Sequence, residues 1–150
     1  MKKDTLTFAI INIAVLTIII LGVSYLSMNR KMLIGPLLIL LGIVSLVPAL
    51  LFKIPLKLLR SDIIFGLIDN GFLAIFALIG AELFGIFGAI IGGAIGNALT
   101  DAFAGIFEGF DAQKMMGIKR TALGVAIGKL SGCLLGAGFV LTIGWTILGL

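Results

Sequence analysis

The chain has 150 residues, of which 61% are hydrophobic and 12% are charged, and its mean hydropathy is +1.30. A soluble domain of this size could not bury so many hydrophobic residues in one core. The 11 Lys and Arg against 7 Asp and Glu give a net charge of +4, but they are scattered, which favours anionic lipid over nucleic acid as a partner. Because the chain has no His, imidazole bases, haem axial ligands and the usual zinc sites are excluded, and we expect neither an enzyme nor a cofactor.

Two apolar runs near the N-terminus are each long enough to cross a bilayer. We predict span 1 from about Leu6 to Met28 and span 2 from about Leu33 to Phe52, since the hydrocarbon core requires about 20 helical residues. Lys2 and Lys3 resemble the charged start of a signal peptide. The run that follows is long and lacks a small-residue cleavage site, so we interpret it as a retained anchor. Lys53 to Arg60 is predicted to be an amphipathic basic connector.

The apolar stretch from Asp62 to Gly109 is too long for one span. We divide it within Gly80–Gly85, where glycines flank a charge, and obtain spans 3 and 4. Ser61 and Asp62 are the expected N-cap pair of span 3, because short side-chain oxygens accept from free amides of the first turn. Span 5 follows from about Arg120 to Leu148. The sequence therefore predicts an all-α, polytopic membrane protein with five transmembrane helices.

Basic residues are distributed unequally between the two sides of these five spans. Only Arg30 and Lys31 fall on one side. The other side carries Lys2, Lys3, Lys53, Lys57, Arg60, Lys114, Lys119 and Arg120. By the positive-inside rule, we expect a multi-pass protein of the cell membrane with its N-terminus inside and its C-terminus outside.

Glycine content separates a Leu- and Ile-rich part, residues 1–60, from a second part, residues 61–150. In spans 4 and 5 glycines recur every four residues, at Gly88, Gly92 and Gly96 and at Gly124, Gly128, Gly132 and Gly136. This spacing lets helix backbones approach closely. We therefore expect close packing of the last two helices, within one chain or between two, and a homodimer assembled through these glycine faces.

Polar side chains lie inside spans 3 and 4, where an Asp at the bilayer centre costs about 2.5–3.5 kcal/mol. Asp69 and Asn70 of span 3 lie roughly 12 Å from the inner boundary of the membrane. Asn97 and Asp101 of span 4 lie at a matching depth, because spans 3 and 4 are antiparallel neighbours. Carboxylate, amide and hydroxyl oxygens without soft ligands suit a hard cation such as calcium or sodium. The predicted metal ligands are Asp69, Asn70, Asn97, Thr100, Asp101 and Glu108.

The same residues allow different interpretations. Two carboxylates neutralise one divalent ion, two monovalent ions or two protons, as an exchanger requires. Alternatively, the polar groups hydrogen-bond across helices and lock the fold. A salt bridge from Lys129 to Asp69 or Asp101 would favour this second interpretation. Glu82 is interpreted as a solvated loop charge facing the outer side, and Cys133 as a small packing residue.

Short motifs follow one another at specific spacing in spans 3 to 5. They are Phe65-Gly66-Leu67-Ile68-Asp69-Asn70, Glu82-Leu83, Ala94-Ile95-Gly96-Asn97-Ala98-Leu99-Thr100-Asp101 with Ala104-Gly105, and Gly132-Cys133-Leu134-Leu135-Gly136. By the order and spacing of these motifs, the chain from about Ser61 to Thr142 resembles the transmembrane protein 65 family. Spans 1 and 2 lie outside the resemblance.

The resemblance implies a function as well as a fold. The family's known eukaryotic member is a mitochondrial inner-membrane protein with three transmembrane helices, linked to sodium-dependent calcium release from the matrix. Its Asp-Asn and Gly-Asn-x-x-Ser/Thr-Asp elements correspond here to Asp69, Asn70, Gly96, Asn97, Thr100 and Asp101, whereas Glu108 is carried over weakly and Lys129 has no counterpart. We therefore expect sodium- or proton-coupled exchange of calcium or another hard cation. The alternatives are a cation-binding regulatory subunit and a purely structural membrane protein.

Overall fold

The computed structural model describes residues 3–27, 30–114 and 121–147, and within these ranges every regular element is a helix. The helices are α1 (Lys3–Ser27), α2 (Lys31–Val44), α3 (Val47–Leu51), α4 (Leu56–Lys114) and α5 (Ala122–Ile147). Four helical stretches are long and apolar enough to cross a membrane, namely Thr7–Leu26, Met32–Leu51, Leu56–Phe103 and Ala122–Thr146. The all-α prediction is confirmed for this part of the chain, and the apolar helices support the expectation of a membrane protein.

Predicted span 2 is interrupted rather than continuous. It consists of α2 and α3, separated by a turn at Ser45 and Leu46. Pro48 explains the break, because proline has no N–H to donate to the carbonyl of Val44 four residues earlier, and its ring clashes with that carbonyl. The backbone N–H of Leu46 donates instead to the Ile43 carbonyl at 3.1 Å. A helix end is thereby created inside an apolar stretch.

The carbonyl of Gly42 beside this break accepts two serine hydroxyls. Ser45 Oγ donates to it at 2.7 Å from the same turn, and Ser131 Oγ donates at 2.8 Å from α5. Both serines are fully buried, at 1% and 0% exposure. Carbonyls at a helix end need partners, and in an apolar surrounding side chains must supply them. The break is therefore stabilised from within its own helix and from α5.

Helix α4 begins earlier than predicted. Pro55 directly precedes its first residue, and proline is favoured at helix starts because its φ angle suits the first turn. Ser61 and Asp62 consequently lie inside the helix, so their assignment as an N-cap pair is wrong. Asp62 is only 3% exposed. The predicted connector from Lys53 to Arg60 is likewise helical from Leu56 onward.

Helix α4 changes direction at Phe84 and Gly85, inside the segment where we divided the apolar stretch. Phe84 has φ −138° and ψ 19°, and Gly85 has φ 61° and ψ −144°. The latter combination is essentially restricted to glycine. We call residues 56–83 the N-arm and residues 86–114 the C-arm. Predicted span 4 thus continues beyond Gly109 as helical backbone.

The two arms fold back on each other as an antiparallel pair. Gly80 lies against the backbone of Gly88, and Gly92 lies against the carbonyl of Phe76, so closely that a Cβ atom at either glycine would overlap the other arm. Farther from the turn, Gly96 lies against the backbone of Leu73. In these contacts, residues farther along the C-arm meet residues earlier in the N-arm, so the two arms are antiparallel.

Helix α5 lies between α2 and the N-arm. Gly132 lies against the carbonyl of Ile63 and Gly136 against that of Leu67, so α5 runs parallel to the N-arm. On the other side, Gly35 lies against Thr142 and Gly42 against Leu135, so α5 runs antiparallel to α2.

The glycine stripes of predicted spans 4 and 5 therefore both face the N-arm, and not each other. The stripes that were expected to join two chains are covered within one chain. A homodimer would need another surface.

Candidate cation site

The predicted polar pairs of spans 3 and 4 meet at one level of the antiparallel arms. Thr100 Oγ1 on the C-arm donates a hydrogen bond to the Asp69 Oδ1 on the N-arm. Thr100 is 5% exposed and Asp69 is half-buried. The contact follows from the glycine register, because Gly96, one turn before Thr100, brings the two backbones together. A carboxylate and a hydroxyl from different arms thus share one site.

Two backbone carbonyls complete an oxygen cluster around the Thr100 hydroxyl. Its Oγ1 lies 3.0 Å from the Gly96 oxygen and 3.0 Å from the Asn97 oxygen. A hydroxyl has one proton, so it donates fully to only one of three acceptors, and the charged carboxylate of Asp69 is the strongest of them. Four oxygen atoms are therefore gathered with a single proton between them. A hard cation is bound by such oxygens.

Asn97 and Asp101 form a second polar pair on the C-arm, one turn apart. Asn97 Nδ2 donates to Asp101 Oδ2 at 2.9 Å. Asp101 is exposed and Asn97 is half-buried, so this pair opens outward while Thr100 faces the N-arm. The second oxygen of Asp101 and the side-chain oxygen of Asn97 remain available as ligands. The site consequently has an inner part at Asp69 and an outer part at Asp101.

Asn70 is directed differently from its neighbour Asp69. Its side chain lies near the Cys133 thiol on α5. Cys133 is half-buried. The hydrogen bonds described above for the oxygen cluster around Thr100 do not include Asn70.

Lys129 lies on α5 close to the site. Its Nζ is 4.8 Å from the centroid of the Phe65 ring on the N-arm, a favourable cation–π distance. It is also near enough to Cys133 to affect that thiol electrostatically. The ammonium group thus lies beside Phe65, which is one turn before Asp69 on the N-arm.

Asp62, which we expected to cap span 3, lies inside the N-arm. It lies two turns before Asp69, on the same helical face, and is almost fully buried against Gly128 of α5. The seven-residue spacing of Asp62 and Asp69 predicts this shared face. The N-arm therefore presents two carboxylates to its neighbours.

Glu108 belongs to the C-arm, but its side chain lies outside the residues whose side chains the structure describes. Within the described residues, no group of three or more His, Cys, Asp or Glu side chains is close enough together to hold a metal ion. The acidic residues of the candidate site whose side chains the structure describes are Asp69 and Asp101.

Comparisons with protein-family models, curated proteins and solved structures found no match to this chain. The resemblance to the transmembrane protein 65 family stays a prediction from the motifs.

Proposed function

We propose that this chain is a membrane cation transporter that exchanges calcium or another hard cation for sodium or protons. The observation that carries the proposal is the oxygen cluster between the arms. Asp69, Thr100 and the carbonyls of Gly96 and Asn97 provide it within a helical stretch apolar enough to cross a membrane. Ionisable groups in such a position are costly, and their usual role is on an ion or proton pathway.

The helix directions support five crossings of the membrane. If the N-arm and the C-arm each cross once, the antiparallel arms together with α5 parallel to the N-arm and α2 antiparallel to α5 give alternating directions for four crossings, and α1 provides the fifth. The N-arm has 28 residues and is about 42 Å long, which exceeds the hydrocarbon core of roughly 30 Å. By the positive-inside rule the N-terminus is inside the cell.

The two parts of the site suit different steps of exchange. Asp69 and Thr100 form the inner position, which is shielded between the arms. Asp101 and Asn97 form the outer position, which is open. An ion at the outer position would replace the hydrogen bond from Asn97 to Asp101. An ion at the inner position would replace the hydrogen bond from Thr100 to Asp69. Two carboxylates match one calcium ion against two sodium ions or two protons.

A homodimer is part of the proposal, with the outer face of the C-arm as its interface. Asp101 is exposed on that face, and a carboxylate facing lipid costs about 2.5–3.5 kcal/mol on insertion scales. A second copy would cover it. Two Asp101 carboxylates brought together repel each other unless a cation or proton lies between them, so ion binding and assembly would be coupled.

A second candidate is a cation-binding regulatory or structural subunit without coupled transport. The specific observation in its favour is that the polar groups satisfy one another in the structure. Thr100 donates to Asp69 and Asn97 donates to Asp101. The bond from Thr100 to Asp69 joins the two arms, and interhelical hydrogen bonds of this kind also serve to hold membrane helices together.

Calcium flux into proteoliposomes, with and without an opposing sodium gradient, tests the proposal. We expect sodium-dependent flux from the native chain and its loss in Asp101→Asn, while the variant remains folded because Asp101 is exposed. Asn12→Ala is the matched control, since Asn12 is also bonded one turn away within its own helix, to the Phe8 carbonyl at 3.0 Å on α1. Absence of flux from well-folded native protein would favour the regulatory or structural candidate.

A further inference from the structure

A groove of about 430 Å³ lies between the end of the N-arm and the end of α5. Its walls are apolar and include Ile75, Leu78 and Ile79 from the N-arm and Val140, Ile143 and Gly144 from α5. Along the N-arm, the groove lies beyond the proposed cation site, toward the turn at Gly85. Apolar pockets of this size that contain one polar group are typical ligand sites.

Glu82 is the one charged residue that lines the groove. It lies one turn beyond Leu78 and directly before the change of direction at Phe84 and Gly85. Its side chain is exposed. The surface that lines the groove is almost entirely apolar, so the aliphatic part of Glu82 faces the groove and its carboxylate lies at the exposed rim.

The depth of these residues in a bilayer supports an amphiphilic ligand. In the five-crossing arrangement proposed above, on which this inference rests, Glu82 falls at the end of an N-arm longer than the hydrocarbon core and lies at headgroup level. Ile79 and Ile75 lie roughly 5 and 10 Å deeper along the helix axis. The apolar walls therefore reach the depth of acyl chains, and the carboxylate reaches the depth of headgroups.

The groove extends about 10 Å along the helix axis from Ile75 to Glu82. Hydrocarbon chains are thin and flexible enough to lie along its apolar walls.

We propose that this groove binds a phospholipid whose headgroup carries a primary ammonium, with phosphatidylethanolamine as the representative. The acyl chain lies along Ile75, Ile79 and Val140, and the ammonium donates hydrogen bonds to the Glu82 carboxylate. Phosphatidylglycerol has no cation to offer, and the quaternary ammonium of phosphatidylcholine has no N–H to donate. Glu82 thus selects the headgroup, and the walls bind the chain.

The experiment is native mass spectrometry of the delipidated full chain, titrated with these three lipids carrying identical acyl chains. We expect phosphatidylethanolamine to bind about two- to fivefold more tightly than phosphatidylglycerol, as one partly exposed ion pair allows. Glu82→Gln removes this preference and leaves the chain folded, because the side chain is exposed. Val140→Phe fills the groove and weakens binding of all three lipids. Ile90→Phe is the control, since Ile90 lies on the C-arm at 66% exposure.

The outcomes separate the lipid from other occupants. Equal binding of all three lipids by the native chain, or a preference that persists in Glu82→Gln, overturns the proposal. If Val140→Phe instead dissociates a dimer and leaves lipid binding unchanged, the groove is a contact between copies and the proposal is overturned as well. The readout needs no cation flux, so failure of the transport proposal does not affect it.

Discussion

Thr100 on the C-arm donates a hydrogen bond from its hydroxyl to Asp69 on the N-arm, 31 residues earlier in the chain. The bond lies four turns from the change of direction at Gly85, and the close contacts of Gly92 and Gly96 lie between them. The site is therefore a product of the backbone packing. Any change that separates the arms also separates Asp69 from its donor.

Thr100→Val tests the contribution of this bond. Valine keeps the shape of the side chain but removes the donor from a half-buried carboxylate, so we expect a loss of about 1–2 kcal/mol in the free energy of unfolding. Reversible unfolding in SDS, followed by circular dichroism, measures it. Thr17→Val is the matched control, because the Thr17 hydroxyl bonds only its own helix, at 2.8 Å to the Ile13 carbonyl. Equal stability of the two variants would contradict the assigned role.

Gly85→Ala tests the backbone at the change of direction. A Cβ at this position meets no atom within 4 Å, so the expected cost arises from the positive φ alone. We expect a loss of about 1–3 kcal/mol, as for other residues forced into this region. Differential scanning calorimetry of the detergent-solubilised protein measures this loss as a lower midpoint of thermal unfolding. An unchanged midpoint would mean that the arms are not joined through this conformation.

Gly132→Ala and Gly22→Ala form a pair that separates packing from helix propensity. At Gly132 the added methyl overlaps the Ile63 carbonyl, whereas at Gly22 on α1 nothing lies within 4 Å. Both changes gain up to about 1 kcal/mol of helix propensity. We expect Gly132→Ala to destabilise the protein by about 1–3 kcal/mol from overpacking and Gly22→Ala to be neutral or stabilising. Changes of the same sign in SDS unfolding would refute the close approach of α5 to the N-arm.

Ser131→Ala tests the bond that α5 makes to the helix break. Without its hydroxyl, the Gly42 carbonyl keeps only Ser45 as a side-chain donor. We expect a loss of about 0.6–1.7 kcal/mol, from the average to the largest value typical of interhelical hydrogen bonds in membranes. A double-mutant cycle with Ser45→Ala should give a larger loss than the sum of the single changes, because the buried carbonyl is then left without either hydroxyl. Strict additivity would indicate independent roles.

Much of the fold follows from the sequence because apolar length is a strong signal in a membrane protein. The ends of α1 and α5 lie within a few residues of the predicted spans, and the turn at Gly85 falls inside the predicted segment. The start of α4 was predicted six residues late. There Ser61 and Asp62 suggested an N-cap, although Pro55 is the better signal for a helix start.

The partners of the glycine stripes were not predictable from spacing. A stripe at every fourth residue says that a backbone approaches closely but not which one. Gly92 and Gly132 lie on different helices, yet both contact the N-arm. That choice depends on the directions of the helices around the N-arm, which are properties of the assembled fold.

The candidate site was predicted in part. Matching depth along antiparallel spans correctly placed Asp69 beside Thr100. It did not resolve rotation about the helix axis, so it grouped Asn70 with Asp69, although adjacent residues on a helix point about 100° apart and Asn70 faces Cys133. Depth is set by sequence position, whereas facing is set by the packing of neighbours.

The central place of α5 has a consequence for biosynthesis. A ribosome makes α2 and both arms of α4 before α5, yet α5 is the helix that lies between α2 and the N-arm. Until it enters the bilayer, the Gly42 carbonyl at the helix break lacks the hydrogen bond from Ser131, and the face of the N-arm with Ile63 and Leu67 is open to lipid. The nascent chain must therefore hold a gap between α2 and the N-arm and close it around its final helix.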